Sequence, residues 1–168
     1  IGSNQWTLTR GYLNIIKEIT PWLSARWTPD LTYDSGKGWV LRQKYLFAEL
    51  RPPDLGTVLT QMRAKVGLDP TAWHEFEVSI YPYRCQGGVP IQRSGVFNGA
   101  DIGVNLGGNF GGRLANAQER LGNTRFDGRY GSWCVGVYNG CGYTASENNQ
   151  NKVPEYRVTL RPFPDWLA

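Results

Sequence analysis

The distribution of glycine constrains the fold of this chain more than any other feature of its sequence. Fifteen of the 21 glycines fall between Gly87 and Asn151, together with most of the asparagines. Because glycine weakens the helix or strand that contains it, we expect long loops in this stretch. Within it we predict one helical turn over 114–121 and one clear strand over 133–138. Loops of this length in a compact domain are commonly functional or disordered.

The length and composition fit one globular domain. We treat residues 1–168 as a single domain, since 168 residues is too short for two domains of ordinary size. With 40% hydrophobic and 19% charged residues, the chain is neither a charge-rich disordered segment nor a coiled coil. No apolar run approaches the roughly 18 residues of a membrane span, and Ile1 does not open a signal peptide. We therefore expect no membrane span in this chain.

Apolar residues at near-helical spacing predict two amphipathic helices. The first covers 6–24, where Pro21 ends or kinks the element. The second covers 55–66, with Asp54 at the N-cap position and Gly67 just after the last turn.

Alternating apolar residues predict the strands of an antiparallel sheet. These strands cover 39–50, 75–83, 133–138 and 155–162, and several of them stop at a proline, which cannot donate to a strand ladder. The predicted fold is therefore α+β: an antiparallel sheet packed against the N-terminal amphipathic helix and the second helix, with a long Gly/Asn-rich loop region. The residues predicted to face the helices are Phe76, Val78, Ile80, Tyr156, Val158 and Leu160.

The three cysteines suggest one disulfide bond. Cys134 and Cys141 enclose six residues that include the favoured turn dipeptide Asn139-Gly140. We predict a Cys134–Cys141 bridge and an unpaired Cys85, with three free thiols as the alternative. Because such bonds are uncommon in the reducing cytosol, the bridge predicts an extracytoplasmic protein, whether secreted, on the cell surface or in a virion.

A cluster of arginines and aromatic rings in the glycine-rich half is the best candidate for a binding site. Thirteen of the 18 basic residues are arginine, which stacks on rings and binds carboxylates or phosphates in a bidentate way. Rings on loops can also stack on sugars or bases. The alternative is that these side chains only pack in the core. The predicted binding residues are Arg125, Arg129, Tyr130, Tyr138 and Tyr143.

The sequence offers little for catalysis or metal binding. His74 is the only histidine, so a cysteine hydrolase would have to pair it with Cys134 or Cys141. The carboxylates have no spacing that forces them together, and the cysteines lack the paired spacing of zinc sites. We therefore predict no catalytic residues, no metal and no cofactor.

Three classes of function remain open from the sequence. The first is an extracytoplasmic recognition module, as in adhesion, that binds a glycan or a partner protein through the Arg/aromatic loop surface. The second is a structural subunit of a surface filament or virion, which would self-associate. The third is a Cys-His hydrolase or a nucleic-acid binder, which the net charge of +4 permits but does not favour.

Overall fold

The computed structural model describes Trp6, Leu8 and residues 10–166, apart from the side chain of Gln86. These residues form eight strands and three short α-helices. In chain order the elements are β1 (Arg10–Tyr12), β2 (Ile15–Thr20), β3 (Leu23–Asp34), β4 (Gly38–Leu50), β5 (Leu59–Asp69), α1 (Ala72–Ile80), a 3-10 turn (Arg84–Gln86), α2 (Pro90–Arg93), β6 (Asp101–Phe110), α3 (Ala117–Leu121), β7 (Gly131–Tyr138) and β8 (Val153–Leu160).

All eight strands belong to one antiparallel sheet. From β3 to β8 each strand pairs with the next strand in sequence, while β1 and β2 both pair with β3 along its outer edge. The predicted α+β fold, a sheet packed against two amphipathic helices, is therefore wrong, because the chain is mainly an antiparallel sheet. Within the described residues, no helix has the length and hydrophobicity needed to cross a membrane.

The N-terminal segment consists of strands, and the helix predicted over 6–24 is wrong. β2 and β3 form a hairpin around the turn residues Pro21–Trp22. β2 has the sequence Ile-Ile-Lys-Glu-Ile-Thr, and β-branched residues of this kind favour a strand over a helix. Two residues of the predicted helix, Thr7 and Thr9, lie outside the described residues.

The second predicted helix is a strand, and one predicted strand is a helix. Most of 55–66 lies in β5, whose β-bulge shifts the alternation of side chains and so mimics helical spacing. The segment 75–83 overlaps α1 instead. In α1, Trp73, Phe76 and Ile80 have the spacing of one helix face. A short run of residues can fit both this helical spacing and the alternation of a strand, so the alternation seen in the sequence did not exclude a helix.

Three of the predicted strands are confirmed. The ranges 39–50, 133–138 and 155–162 correspond to β4, β7 and β8. The glycine-rich stretch also contains β6, a ten-residue strand where loops were predicted. Glycine is required there by close packing, because a Cβ atom on Gly103 would lie 2.3 Å from the carbonyl oxygen of Val137.

The two faces of the sheet differ in polarity, and their orientation is opposite to the prediction. Tyr156, Val158 and Leu160, which were predicted to face the helices, are 74%, 59% and 68% exposed. Glu155 and Arg157, which alternate with them, are buried. The helix α1 therefore covers the charged side of the sheet and leaves the apolar side open.

We name these two sides the polar face and the apolar face. Phe76, Val78 and Ile80, also predicted to point from the sheet toward helices, lie on α1 itself. The apolar face comprises Trp27, Leu46, Val66, Ile102, Val104, Val135, Val137, Tyr156, Val158 and Leu160. The polar face comprises Glu49, Lys65, Asp69, Asp101, Asn105, Cys134, Tyr138, Glu155 and Arg157.

Candidate functional site on the polar face

The helix α1 places Glu75 on the polar face, where the carboxylate contacts two cations. Lys65 Nζ donates to Glu75 Oε2 over 2.7 Å, and Arg125 Nη2 donates to Oε1 over 2.7 Å. Burial by itself would raise the pKa of Glu75, but Lys65 and Arg125 outweigh it and hold this pKa below its ordinary value. The ionised carboxylate thus links α1 to β5 and to the segment before β7.

Arg157 is a buried arginine on the same face, with only 1% of its surface exposed. Its guanidinium lies over the rings of Phe76 and Phe126, with its central carbon 4.5 and 4.7 Å from the ring centroids. Nη1 donates to Ser132 Oγ and Thr159 Oγ1, whereas Nε and Nη2 have no hydrogen-bond partner among the described residues. No ion pair of the described chain includes Arg157, so its positive charge is buried without a direct carboxylate partner.

Two buried carboxyl groups on the polar face have unusual protonation. Asn105 Nδ2 donates to Asp69 Oδ2 over 2.5 Å and to the Tyr138 hydroxyl over 3.0 Å. Burial raises the pKa of Asp69 to about 7 and that of Glu155 to about 7. These groups therefore titrate near neutral pH, where surface carboxyl groups are fully ionised.

Besides the cations around Glu75, a second basic cluster lies on the polar face near β1. It consists of Arg10, Arg42 and Lys44. Arg10 donates from two nitrogens to the carboxylate of Asp30, and Arg42 Nη2 lies 3.7 Å from the same carboxylate. Lys44 Nζ lies 4.6 Å from the ring centroid of Tyr143 and donates to the Tyr143 hydroxyl. Arg10, Arg42 and Lys44 thus share the Asp30 carboxylate and the Tyr143 hydroxyl as their partners.

A small cavity of about 50 Å³ opens on the polar face between β5, β6 and β7. Gly107 contributes no side chain to its floor, and a Cβ atom there would lie 2.9 Å from the carbonyl oxygen of Trp133. Positive charge predominates on its walls. The cavity is lined by Gln61, Arg63, Lys65, Glu75, Asn105, Gly107, Gly108, Asn109, Arg125, Phe126, Trp133 and Cys134.

The predicted binding residues Arg125, Arg129 and Tyr130 are near in sequence but separate in the structure. Arg125 lines the cavity and pairs with Glu75. Arg129 donates to Asp165 Oδ2 over 2.7 Å and lies over the exposed ring of Tyr130. Only Arg125 therefore belongs to the candidate site.

The two other predicted binding residues lie at different points of the polar side. Tyr138 is buried and bonded to Asn105, so its ring is not available to a ligand in solution. Tyr143 belongs to the second basic cluster through Lys44. The five predicted residues do not form one surface, and their binding role stays a prediction.

The cysteines are free in this structure, and the predicted Cys134–Cys141 bridge is not formed in it. The Cys134 side chain lies on the polar face, where it lines the cavity, while Cys141 follows β7 and donates to the carbonyl oxygen of Gly142. That the bridge forms in an oxidising compartment stays a prediction.

The groups considered for a cysteine hydrolase do not form a catalytic pair. Burial lowers the pKa of His74 to about 4 and raises that of Cys134 to about 11, so both groups are neutral at pH 7. Among the described residues, no hydrogen bond joins His74 to Cys134 or Cys141. No group of three or more His, Cys, Asp or Glu residues in this part of the chain could hold a metal.

Lys65 and Arg157 are the functional candidates that the sequence analysis missed. Arg157 alternates with apolar residues in a predicted strand whose apolar side was expected to face the helices, whereas Lys65 lies in the range 55–66, which was predicted as a helix. The signal was present, because charged residues at alternate positions in neighbouring strands converge on one face. The pattern alone does not say which face is covered.

Comparison of this chain with protein-family models, curated proteins and solved structures gave no match. The function is therefore inferred from the geometry of the sheet and its two faces.

Proposed function

We propose that this sheet works in a membrane, with its apolar face against the hydrocarbon chains of lipids and its polar face toward water. The observation that supports this most is the inverted polarity of the two faces. In a sheet that packs on a protein core in water, apolar residues are covered and polar residues are exposed. Here Val104 and Val135 are exposed, while Asn105 and Arg157 are covered.

The extent of the apolar face supports lipid as its partner. It runs without interruption across the register from Trp27 on β3 to Tyr156 and Val158 on β8. Proteins that are monomeric in water rarely expose apolar patches above roughly 300–600 Å². Within the described residues, α1 and the loop that carries Tyr143 lie on the opposite side. Lipid chains would cover the whole face without any further protein element.

Aromatic side chains mark both ends of the apolar face. Tyr33 and Trp39 flank the β3–β4 turn at one end, with ring centroids 5.6 Å apart. Tyr130, Phe163 and Trp166 are exposed near the opposite end, just before β7 and just after β8. Aromatic rings are enriched at the two interfaces of a bilayer, where an apolar ring and a polar atom are both accommodated.

The length of four of the strands also fits a bilayer, whereas β7 and β8 are shorter, with eight residues each. β3, β4, β5 and β6 contain 12, 13, 11 and 10 residues. A tilted strand needs only about 9–11 residues to cross the hydrocarbon layer, so the proposal departs from the expectation of no membrane span, which considered only long apolar runs. The proposal further requires that the outer edge of β8 and the outer edges of β1 and β2 pair with other strands in the membrane, because hydrocarbon offers no hydrogen-bond partner to a free backbone group.

The test is association with vesicles of phosphatidylcholine, whose headgroup carries no net charge. The chain is diluted from urea into vesicles and separated by flotation in a density gradient. We expect it to float with the vesicles and to resist extraction by high salt and alkaline carbonate, since apolar contact does not depend on ionic strength. Recovery as a monomer or a dimer in the aqueous fraction would contradict the proposal, and a dimer would identify a second copy as the partner.

A matched pair of variants tests which surface contacts the lipid. Val104→Arg adds a charge in the apolar face and should reduce the floated fraction, since arginine facing lipid costs about 2–4 kcal/mol near the bilayer centre. Ser146→Arg adds the same charge to an exposed loop and should leave flotation unchanged. Equal behaviour of the two variants would argue against the assignment of the apolar face.

The recognition function predicted for the 125–143 region is compatible with this proposal and stays a prediction, as does the extracytoplasmic location. Arg125 is the residue that supports it best, because it reaches the cavity on the polar face. Under the proposal, any hydrophilic ligand binds on that face, since the opposite face is occupied by lipid.

A further inference from the structure

The cavity on the polar face carries more positive than negative charge. Arg63, Lys65 and Arg125 line it together with a single carboxylate, that of Glu75. Glu75 is engaged by Lys65 and Arg125, whereas no ion pair of the described residues includes Arg63. The remaining titratable group of the lining is the Cys134 thiol, which is protonated at neutral pH and adds no negative charge.

The buried Arg157 adds a further positive charge, without a direct carboxylate partner in the described residues, beside this cavity. Its guanidinium stacks on Phe126, whose ring forms part of the cavity lining. Two of its nitrogens, Nε and Nη2, have no hydrogen-bond partner in the described part of the chain. A buried charge that lacks a counter-charge is unfavourable, and an anion bound nearby would relieve this.

We propose that this cavity binds a small oxyanion of the phosphate or sulfate class. Arginine and lysine donors bind such oxygens with short, charge-assisted hydrogen bonds. The space of about 50 Å³ is large enough for a compact ion. The missing side chain of Gly107 keeps this space open.

The proposal is tested by titration calorimetry of the protein in neutral detergent with inorganic phosphate and with sulfate. The variant Arg63→Gln removes the lining cation that has no carboxylate partner. We expect saturable binding of one anion per chain, weakened about tenfold or more by this variant, as for the loss of one charge-assisted hydrogen bond. Arg129→Gln removes the same charge from the surface pair with Asp165 and should change the affinity less than about twofold.

Near-ultraviolet circular dichroism of both variants establishes that each is folded before the titrations are compared. Absence of saturable binding of both anions to the unmodified protein would overturn the proposal. Equal weakening by the two variants would also overturn it, because the effect would then come from overall charge. The result is independent of vesicle flotation, which reports on the opposite face of the sheet, so either proposal can fail alone.

Discussion

At the scale of single residues, the polar face is defined by charged groups whose environment changes their protonation. Asp69 and Glu155 are buried carboxyl groups with raised pKa values, while Glu75 stays ionised because two cations contact it. Arg125 was predicted as a binding residue from its sequence neighbours and does line the cavity. Lys65 was missed because 55–66 was predicted as a helix, and its role also depends on which side of β5 is covered.

Asp69 should make the stability of the protein depend on pH. Its pKa of about 7 in the folded state lies above the value near 4 of an unfolded aspartate, so the folded state binds the proton more tightly. The contribution of Asp69 to the free energy of unfolding should therefore fall as the pH rises from about 4 to about 7, whereas that of His74, whose pKa is lowered to about 4, should rise over the same range. Asp69→Asn cannot titrate, and its stability relative to the unmodified protein should rise by about 1–4 kcal/mol between pH 5 and pH 8.

Urea unfolding at the two pH values, followed by tryptophan fluorescence, measures this change. Asp165→Asn, which alters an exposed carboxyl group, is the control and should leave the pH dependence as it is in the unmodified protein. If Asp69→Asn showed the same pH dependence as the unmodified protein, Asp69 would be ionised in the folded protein throughout this pH range, and the prediction would be wrong.

At the scale of elements, sequence patterns identified strands where the alternation was regular and failed where it was interrupted. β4, β7 and β8 were predicted within a few residues. β5 was missed because its bulge interrupts the alternation of side chains that marks a strand. α1 was missed because its nine residues fit both the alternation of a strand and the 3.6-residue period of a helix. β6 was missed because glycine was interpreted as a loop signal, although here it allows close approach of neighbouring strands.

Gly103 provides a test of this role of glycine in the pairing of β6 and β7. In Gly103→Ala the new methyl group would meet the carbonyl oxygen of Val137 at 2.3 Å and the Tyr138 ring at 2.6 Å. We expect a loss of about 1–3 kcal/mol in the free energy of unfolding, the usual effect of overpacking. Gly11→Ala in β1, where no atom lies within 4 Å of the added carbon, is the matched control. A similar stability of the two variants in urea titrations would contradict this account.

At the scale of the whole molecule, the sheet is organised by the contrast between its faces. The sequence contains this contrast as alternation, but alternation is the same for a sheet that covers its apolar side and for one that exposes it. The structure adds the position of α1, which contacts Lys65 through Glu75 and Arg157 through Phe76. That position puts the apolar face outside and supports lipid as its environment.

Tryptophan quenching by lipids brominated on their acyl chains tests the central claim most directly. Trp27 lies on the apolar face, in register with Leu46, whereas Trp73 lies on α1 and donates to the carbonyl oxygen of Tyr156. In vesicles of brominated phosphatidylcholine we expect strong quenching that Trp27→Phe reduces, and a larger quenched fraction in Trp73→Phe, which lacks a fluorophore distant from lipid. Equal fluorescence in brominated and unbrominated vesicles, or quenching that Trp27→Phe leaves unchanged, would contradict the assignment of the apolar face to lipid.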